Sequence, residues 1–367
     1  MFGIINLIPT LIVLGILIFI HEFGHFIVAK TSGVTVEKFS IGFGPEIFKF
    51  SYKGTIYAIS LIPIGGFVKM AGETIEDRKD SELQPNDFLA QGIFKRFSIV
   101  FSGPLMNYIL AFFLFVILFQ IGKPAVKPIV GKLVDGYPAQ EAGIMIDDNI
   151  IAINGQPINT WTELHTIISQ AESDTIDLLV LRENKKNTVT IKPIVDTEQN
   201  VFGDDIRVKK IGIYPSDKTV LIKYGFFESI KQSAQVTYYF TKISYQAIYR
   251  LIIGKLNLKA LSGPLRIIEV TSKTAQLGIV HLINLTALLS ISLAIFNLLP
   301  IPALDGGHIL FIFFEAILRR PIPFKIQERF SQVGFALLMV LMALVTWNDA
   351  INSEFFDKVK QAIPFLR

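Results

Sequence analysis

The chain has 367 residues, of which 51% are hydrophobic and only 18% charged, and its mean hydropathy is +0.49. Soluble globular domains carry about 25% charged residues, so this balance argues against one. With no Cys in the chain, disulfides, iron–sulfur clusters, thiolate zinc sites and cysteine nucleophiles are excluded, and any metal must be held by nitrogen and oxygen.

Residues 1–29 carry no basic side chain, and Glu22 is their single charge, inside an apolar run long enough to cross a hydrocarbon core of about 30 Å. A secretory signal opens with a positive stretch, so this run reads as a retained transmembrane helix. A second run, 97–121, is free of charge and bounded by Lys95-Arg96 and Lys123. A third, 277–299, carries His281, Asn284 and Asn297 and stops at Pro300 and Pro302, which cannot continue a helix. A fourth, 330–347, is barely long enough to span, and 309–318 between the last two is too short, which places it at the interface or re-entering.

Leaving aside the long segment between runs two and three, whose size exempts it from the counting rule, basic residues sort into two loops: Lys30 to Arg96 between the first and second runs, and Arg319, Arg320, Lys325 and Arg329 between the third and fourth. Orientation follows Lys and Arg near the membrane ends, so both loops are expected in the cytoplasm and the long segment between runs two and three outside. The net charge of +4 is then a matter of topology. No Lys/Arg block or aromatic-basic array of a nucleic-acid module is present, and no nucleic-acid partner is expected.

Three loop segments have their own patterns. Phe48 to Tyr52, a Lys53-Gly54 turn and Thr55 to Ser60 alternate as a hairpin does, within 47–70. The outer segment, 123–215, changes to short β-branched runs at 150–153 and 188–194 with a strong Asn154-Gly155 turn signal, and reads as a small β-rich domain with one helix over 161–171. From 224 to 254, Phe226, Ile230, Val236, Phe240, Ile243, Ala247 and Leu251 recur at helical spacing. Such an amphipathic helix either lies on the membrane surface or packs on the soluble domain.

The chemistry is concentrated in His21-Glu22-Phe23-Gly24-His25, an H-E-x-x-H pattern inside the first spanning run. Four residues advance an α-helix by about one turn, so both imidazoles leave one face and can share an ion. Glu22 stands beside them off that line, as suits a general base for water that a zinc ion acidifies to a pKa of about 7. The bland alternative is three polar residues lining a bundle or proton path. In lipid a central carboxylate costs about 2.5–3.5 kcal/mol and persists only with a partner or a task, which favours the metal site. A catalytic zinc needs a third protein ligand, to be drawn from His281, Asp305 and His308. His281 is at the far end of its helix from His25, whereas Asp305, on a turn between Pro302 and Gly306-Gly307, is on the same side; His308 is the lesser candidate.

Together with Asn297-Leu298-Leu299-Pro300-Ile301-Pro302-Ala303-Leu304-Asp305-Gly306-Gly307 and Phe101-Ser102-Gly103-Pro104-Leu105-Met106-Asn107, this motif resembles the site-2 protease family of intramembrane zinc metalloproteases, nearest its bacterial regulator of sigma-E protease branch. The resemblance implies that His21, His25 and Asp305 ligate Zn2+, that Glu22 is the catalytic base and that Asn297 positions substrate or its developing oxyanion. Tyr137-Pro138-Ala139 through Gly143-Ile144, followed by Asp148 to Gly155, is similar to a bacterial PDZ pattern, with room for one such domain where better-known relatives have two. The family further suggests that the 47–70 hairpin associates with the membrane, and its edge is expected to add the cleaved segment as an extra strand. Asn107 is expected to serve helix packing before substrate contact.

The expected fold is thus a polytopic α-helical membrane protein of about four transmembrane helices, with a membrane-associated β-hairpin and an inserted PDZ-like domain. Its expected divisions are an N-terminal membrane core at 1–122, the PDZ-like domain at 123–215, an amphipathic linker at 216–276 and a C-terminal membrane core at 277–367. The resemblance implies hydrolysis of peptide bonds in or near transmembrane segments of single-pass membrane proteins already shortened by another protease, in the lipid bilayer of a bacterial inner membrane. The basic loops lead one to expect the active site near the cytoplasmic face and the PDZ-like domain outside. A silent scaffold whose PDZ-like domain captures extracytoplasmic peptides is the alternative, although it has no use for Glu22. A proton-coupled transporter is disfavoured by four spans without an inverted repeat.

Overall fold

Pro9, in the first turn of helix α1 (Ile8–Thr31), sits where a missing N–H breaks no helical bond, and the apolar run behind it continues to a basic last turn at Lys30. The computed structural model of the chain describes residues 7–73, 83–256 and 263–352. They fall into two units, one made of the chain up to Leu118 and from Phe226 onward, the other of Phe119–Gly225.

In the first unit α1 leads into two long antiparallel strands, β1 (Val36–Tyr52) and β2 (Thr55–Met70). Lys53 and Gly54 join them at φ 46° and 77°, the two positive values that a tight type I′ turn demands. The ribbon starts earlier than the hairpin expected at 47–70 and doubles back on itself. Residues 36–41 pair with 66–70 on one side and with 56–59 on the other, while 48–52 pair outside those. Gly42 and Gly65, at φ 88° and 107°, supply the bends. The result is a curled four-ply sheet whose two edges are residues 66–70 and 48–52. Phe43, Ile47, Phe48, Phe50, Leu61 and Ile62 are exposed on its outer end, an apolar surface of the kind that meets a membrane or a partner.

Helix α2 (Ile93–Ile121) follows and carries Pro104 in its interior, which a transmembrane helix tolerates when neighbours re-satisfy the freed carbonyl. The second unit then runs through β3 (Lys123–Val126), β4 (Val130–Leu133), α3 (Pro138–Glu141), β5 (Asn149–Ile153), β6 (Gln156–Pro157) and α4 (Trp161–Ser169). It continues with β7 (Ile176–Arg182), β8 (Lys185–Ile191), β9 (Ile194–Gln199), β10 (Asp205–Lys210), β11 (Ile213–Pro215) and β12 (Thr219–Ile222). A four-stranded sheet of order β6-β5-β7-β8 is joined by the pairs β9–β10, β4–β11 and β3–β12. Asn154 and Gly155 take φ 49° and 79° at the tip of β5–β6, as their dipeptide requires. A capping box between Thr160 and Glu163 starts α4, which buries Leu164 and Ile168 on Ile150, Ile153, Ile176 and Leu178. Asp148, 1% exposed, is held by both Nε and Nη2 of Arg182 at 2.8 Å. Because β12 closes on β3, the unit extends past Pro215 to Gly225.

Back in the first unit are α5 (Phe226–Ile252), α6 (Pro264–Gln276), α7 (Ile279–Leu298), α8 (Asp305–Leu318) and α9 (Phe324–Asn352). The amphipathic α5 packs on α7, and its Thr241 hydroxyl donates to the Tyr108 hydroxyl of α2 at 3.5 Å. Among the described residues, four helices are long and apolar enough to cross a membrane: Ile8–Thr31, Ile93–Ile121, Ile279–Leu298 and Lys325–Ile351. The last is longer than the run read at 330–347 because polar residues of its first turns continue the helix. At 14 residues α8 is too short to span. The buried cluster Ala29, Val34, Val36, Met70, Phe88, Ile99, Val100 and Ile312 ties α1, the ribbon, α2 and α8 together at one end.

Candidate metal centre

His21 and His25 lie one turn apart on α1 and direct their Nε2 atoms to within 3.2 Å of each other. Oδ2 of Asp305, the first residue of α8, is 3.1 Å from Nε2 of His21 and 3.5 Å from Nε2 of His25. This Oδ2 is buried and accepts no well-directed hydrogen bond despite those neighbours. Three donor atoms crowd within 3.1–3.5 Å of one another, as a set shaped for a cation does. A tetrahedral zinc with bonds of about 2.0–2.2 Å separates its ligand atoms by about 3.3–3.6 Å, so the observed spacing of 3.1–3.5 Å is close to what the ion requires. The donor chemistry, two imidazoles and a carboxylate, fits as well. His308 lines the same cavity but is outside the group of three, and His281 is not near it.

The neighbouring helices make this convergence possible by coming very close. A Cβ on Gly24 of α1 would sit 2.4 Å from the Ser102 carbonyl oxygen, and one on Gly103 of α2 would sit 2.2 Å from Nε2 of His25. Bare backbone at both positions lets α2 press directly on the two rings. His25 Nδ1–H donates to the Ile99 carbonyl at 2.8 Å, which fixes the ring and leaves Nε2 as the free lone pair.

Asp305 is aimed by a second close approach. A Cβ on Gly306 would fall 2.1 Å from the Leu299 carbonyl oxygen, and one on Gly307 2.6 Å from that of Ile301. The first turn of α8 is therefore docked on the chain leaving α7, with Ala303 bent to φ 79° to get there. Asn297, in the last turn of α7, brings Nδ2 to 3.5 Å from each nitrogen of His21. Further along α8, Glu315 takes a two-pronged ion pair from Arg96 of α2, Nη1 to Oε2 at 3.0 Å and Nη2 to Oε1 at 2.6 Å. Sequence reasoning counted Arg96 only for topology and passed over Glu315. A lone carboxylate within the apolar 309–318 run was the signal, by the same logic that marked Glu22.

Glu22 faces a cavity of about 860 Å³ whose walls include His21, His25, Val68, Asp305 and His308. The backbone N–H of Val68, on the 66–70 edge of the ribbon, reaches its carboxylate. In the second unit a groove of about 390 Å³ runs between α4 and β11, walled by Leu164, Ile168, Ile211 and Ile213. At its rim the Tyr137 hydroxyl donates to Asp196 Oδ2 at 2.6 Å. That bond pushes the Tyr137 phenol up and holds the Asp196 carboxyl below its ordinary range.

Two histidines and an aspartate beside a second carboxylate, set among spanning helices, define a membrane-embedded metallohydrolase. The chain belongs to peptidase family M50, whose profile matches residues 2–341. A Campylobacter jejuni protein placed by its name among the zinc metalloproteases is 38% identical, aligned with 94% of this chain and 93% of its own. The zinc metalloprotease RasP of Geobacillus kaustophilus is 34% identical, and the regulator of sigma-W protease RasP of Bacillus subtilis 32%, over 94% of this chain and 97% and 98% of theirs. Among solved structures, the PDZ domain of an SdrC-like protein from Listeria innocua is 26% identical over 25% of this chain and 96% of that one, with a TM-score of 0.20. The protein is a polytopic membrane zinc metalloprotease.

Proposed function

We propose that this protease cuts peptide bonds within or beside the transmembrane segments of single-pass membrane proteins, after another protease has shortened them. In this reading His21, His25 and Asp305 hold zinc, Glu22 is the base and Asn297 serves the substrate. The observation that carries it is the meeting of three donor atoms at 3.1–3.5 Å beside Glu22.

When bound, zinc supplies Lewis-acid polarisation and makes water acidic enough to ionise near neutral pH. Glu22, in the cavity wall next to the cluster, takes the proton from the attacking water and returns it to the departing nitrogen. The Asn297 Nδ2–H donates to the oxygen of the scissile carbonyl as negative charge grows there. A substrate helix in lipid hides its backbone in its own hydrogen bonds, so it must be unwound first. The 66–70 edge of the ribbon pairs with β1 on one side only, and Val68 on that edge touches Glu22. An extended substrate added to this edge would pass the base.

The distribution of basic loops supports a metal centre near the cytoplasmic face and the Phe119–Gly225 unit outside, and the family supports a bacterial inner membrane as the site of action. That PDZ-like unit would admit or retain trimmed substrates, its apolar groove between α4 and β11 being of a size to take a peptide end. The deciding experiment pairs metal analysis of the purified protein with cleavage of a model transmembrane substrate. Wild type is expected to hold one zinc and cleave; Glu22→Gln is expected to hold the zinc and not cleave. Equal cleavage by both removes Glu22 from its role, and activity in metal-free protein removes the whole reading.

A further inference from the structure

His21 needs a partner on its far side, and the structure offers one that the proposed chemistry does not use. Nε2 of His21 belongs to the donor group, so the neutral ring carries its proton on Nδ1. His25 meets the same need through the Ile99 carbonyl. Opposite His21 Nδ1, at 3.4 Å, is the carboxamide of Asn107, a residue 0% exposed. As placed, it turns Nδ2 to that nitrogen, donor against donor, while its Oδ1 is buried and has no hydrogen-bond partner. A half-turn about χ2 exchanges the two atoms and sets an acceptor against the ring N–H.

We propose that Asn107 is the positioning residue of His21: its carboxamide oxygen accepts the Nδ1–H, fixing the tautomer and tilt that aim Nε2 at the metal. The inference rests on the zinc reading of the site and deepens it. Ile99, Gly103 and Asn107 are four residues apart and so line one face of α2. They act together on α1, with a carbonyl for His25, bare backbone against both rings and a carboxamide for His21. Asn107 is itself anchored, because Ser290 of α7 donates its hydroxyl to the Asn107 carbonyl at 2.7 Å. Asn297, whose Nδ2 also lies near the His21 ring, is thereby left to substrate.

The test is equilibrium zinc affinity by chelator competition on the purified full chain, supported by the visible spectrum of the cobalt-substituted protein. Loss of a partner behind a metal-bound histidine costs about 10–100-fold in metal affinity, and that is expected of Asn107→Leu, with an altered cobalt spectrum. Asn107→Asp, which keeps an acceptor, is expected to stay near wild type. Ser290→Ala loosens the same helix contact without touching the carboxamide and is expected to bind zinc as wild type does. Wild-type affinity in Asn107→Leu while His21→Ala loses zinc overturns the positioning role alone. Equal weakening in Ser290→Ala, or failure of Asn107→Asp to hold zinc, also overturns it in favour of helix packing. No zinc in wild type, or undiminished zinc in His21→Ala, overturns the metal reading instead.

Discussion

A methyl group at position 103 has nowhere to go, since the nearest atoms are the ring atoms of His25 and His21 at 2.2–2.9 Å. Overpacking of this kind costs about 1–3 kcal/mol, and here the rings that must yield are the ones that converge on Asp305. Gly103→Ala is therefore expected to lower zinc occupancy and cleavage together by about tenfold or more, one factor of ten being about 1.4 kcal/mol. Metal analysis beside a cleavage assay reads it, and full zinc with full activity would show the rings to be less constrained than their distances imply. Ala303 presents the opposite case. It holds φ 79° without being glycine, two residues before Asp305. A side chain in this region costs about 1–3 kcal/mol, and β-branching makes it worse. Ala303→Gly should keep its zinc and unfold no earlier on heating, whereas Ala303→Val should lose zinc as the turn that aims Asp305 is forced open.

Among the elements, α8 depends on two attachments: its glycine turn against the end of α7, and the pair between Arg96 and Glu315, whose side chains are 8% and 17% exposed. Removing one partner of a buried pair leaves an uncompensated charge and costs about 3–5 kcal/mol. Arg96→Gln should accordingly lower the thermal midpoint in detergent and loosen Asp305, seen as faster zinc loss to a chelator. The exchanged pair Arg96→Glu with Glu315→Arg should recover part of both, and no recovery would mean that the geometry of this one orientation matters more than the charges. The ribbon is the other functional element. Val68→Pro removes an N–H from its 66–70 edge and should cripple cleavage of a transmembrane substrate while zinc stays bound. Undiminished turnover would discard strand addition at this edge. The hairpin was readable from alternation and a Lys53-Gly54 turn, but its doubling back was not. That pairing joins residues 36–41 to both ends of β2, and alternation is the same whichever neighbour a strand takes.

On the scale of the whole molecule, sidedness is open to direct measurement because the chain has no Cys to remove. Lys185→Cys, in the unit proposed to lie outside, should react with a membrane-impermeant maleimide on intact cells, and Arg320→Cys only after permeabilisation. The reverse pattern would invert the topology and move the metal centre to the other face. Most of the bundle could be read from the chain: apolar runs name the spans, helical spacing puts His21 and His25 on one face, and the cost of Glu22 in lipid marks it as purposeful. These are local properties, carried by a few consecutive residues and the solvent around them. Sequence reading could only propose that Asp305 meets the histidines, and it had no view of Asn107 behind His21 or of Glu315 under Arg96. Those meetings depend on how closely α2 and α8 approach α1 and α7, which is set by bare backbone at Gly24 and Gly103 against atoms distant along the chain, and at Gly306 and Gly307 against the chain leaving α7. No periodicity encodes such distances, because they exist only after the helices have packed.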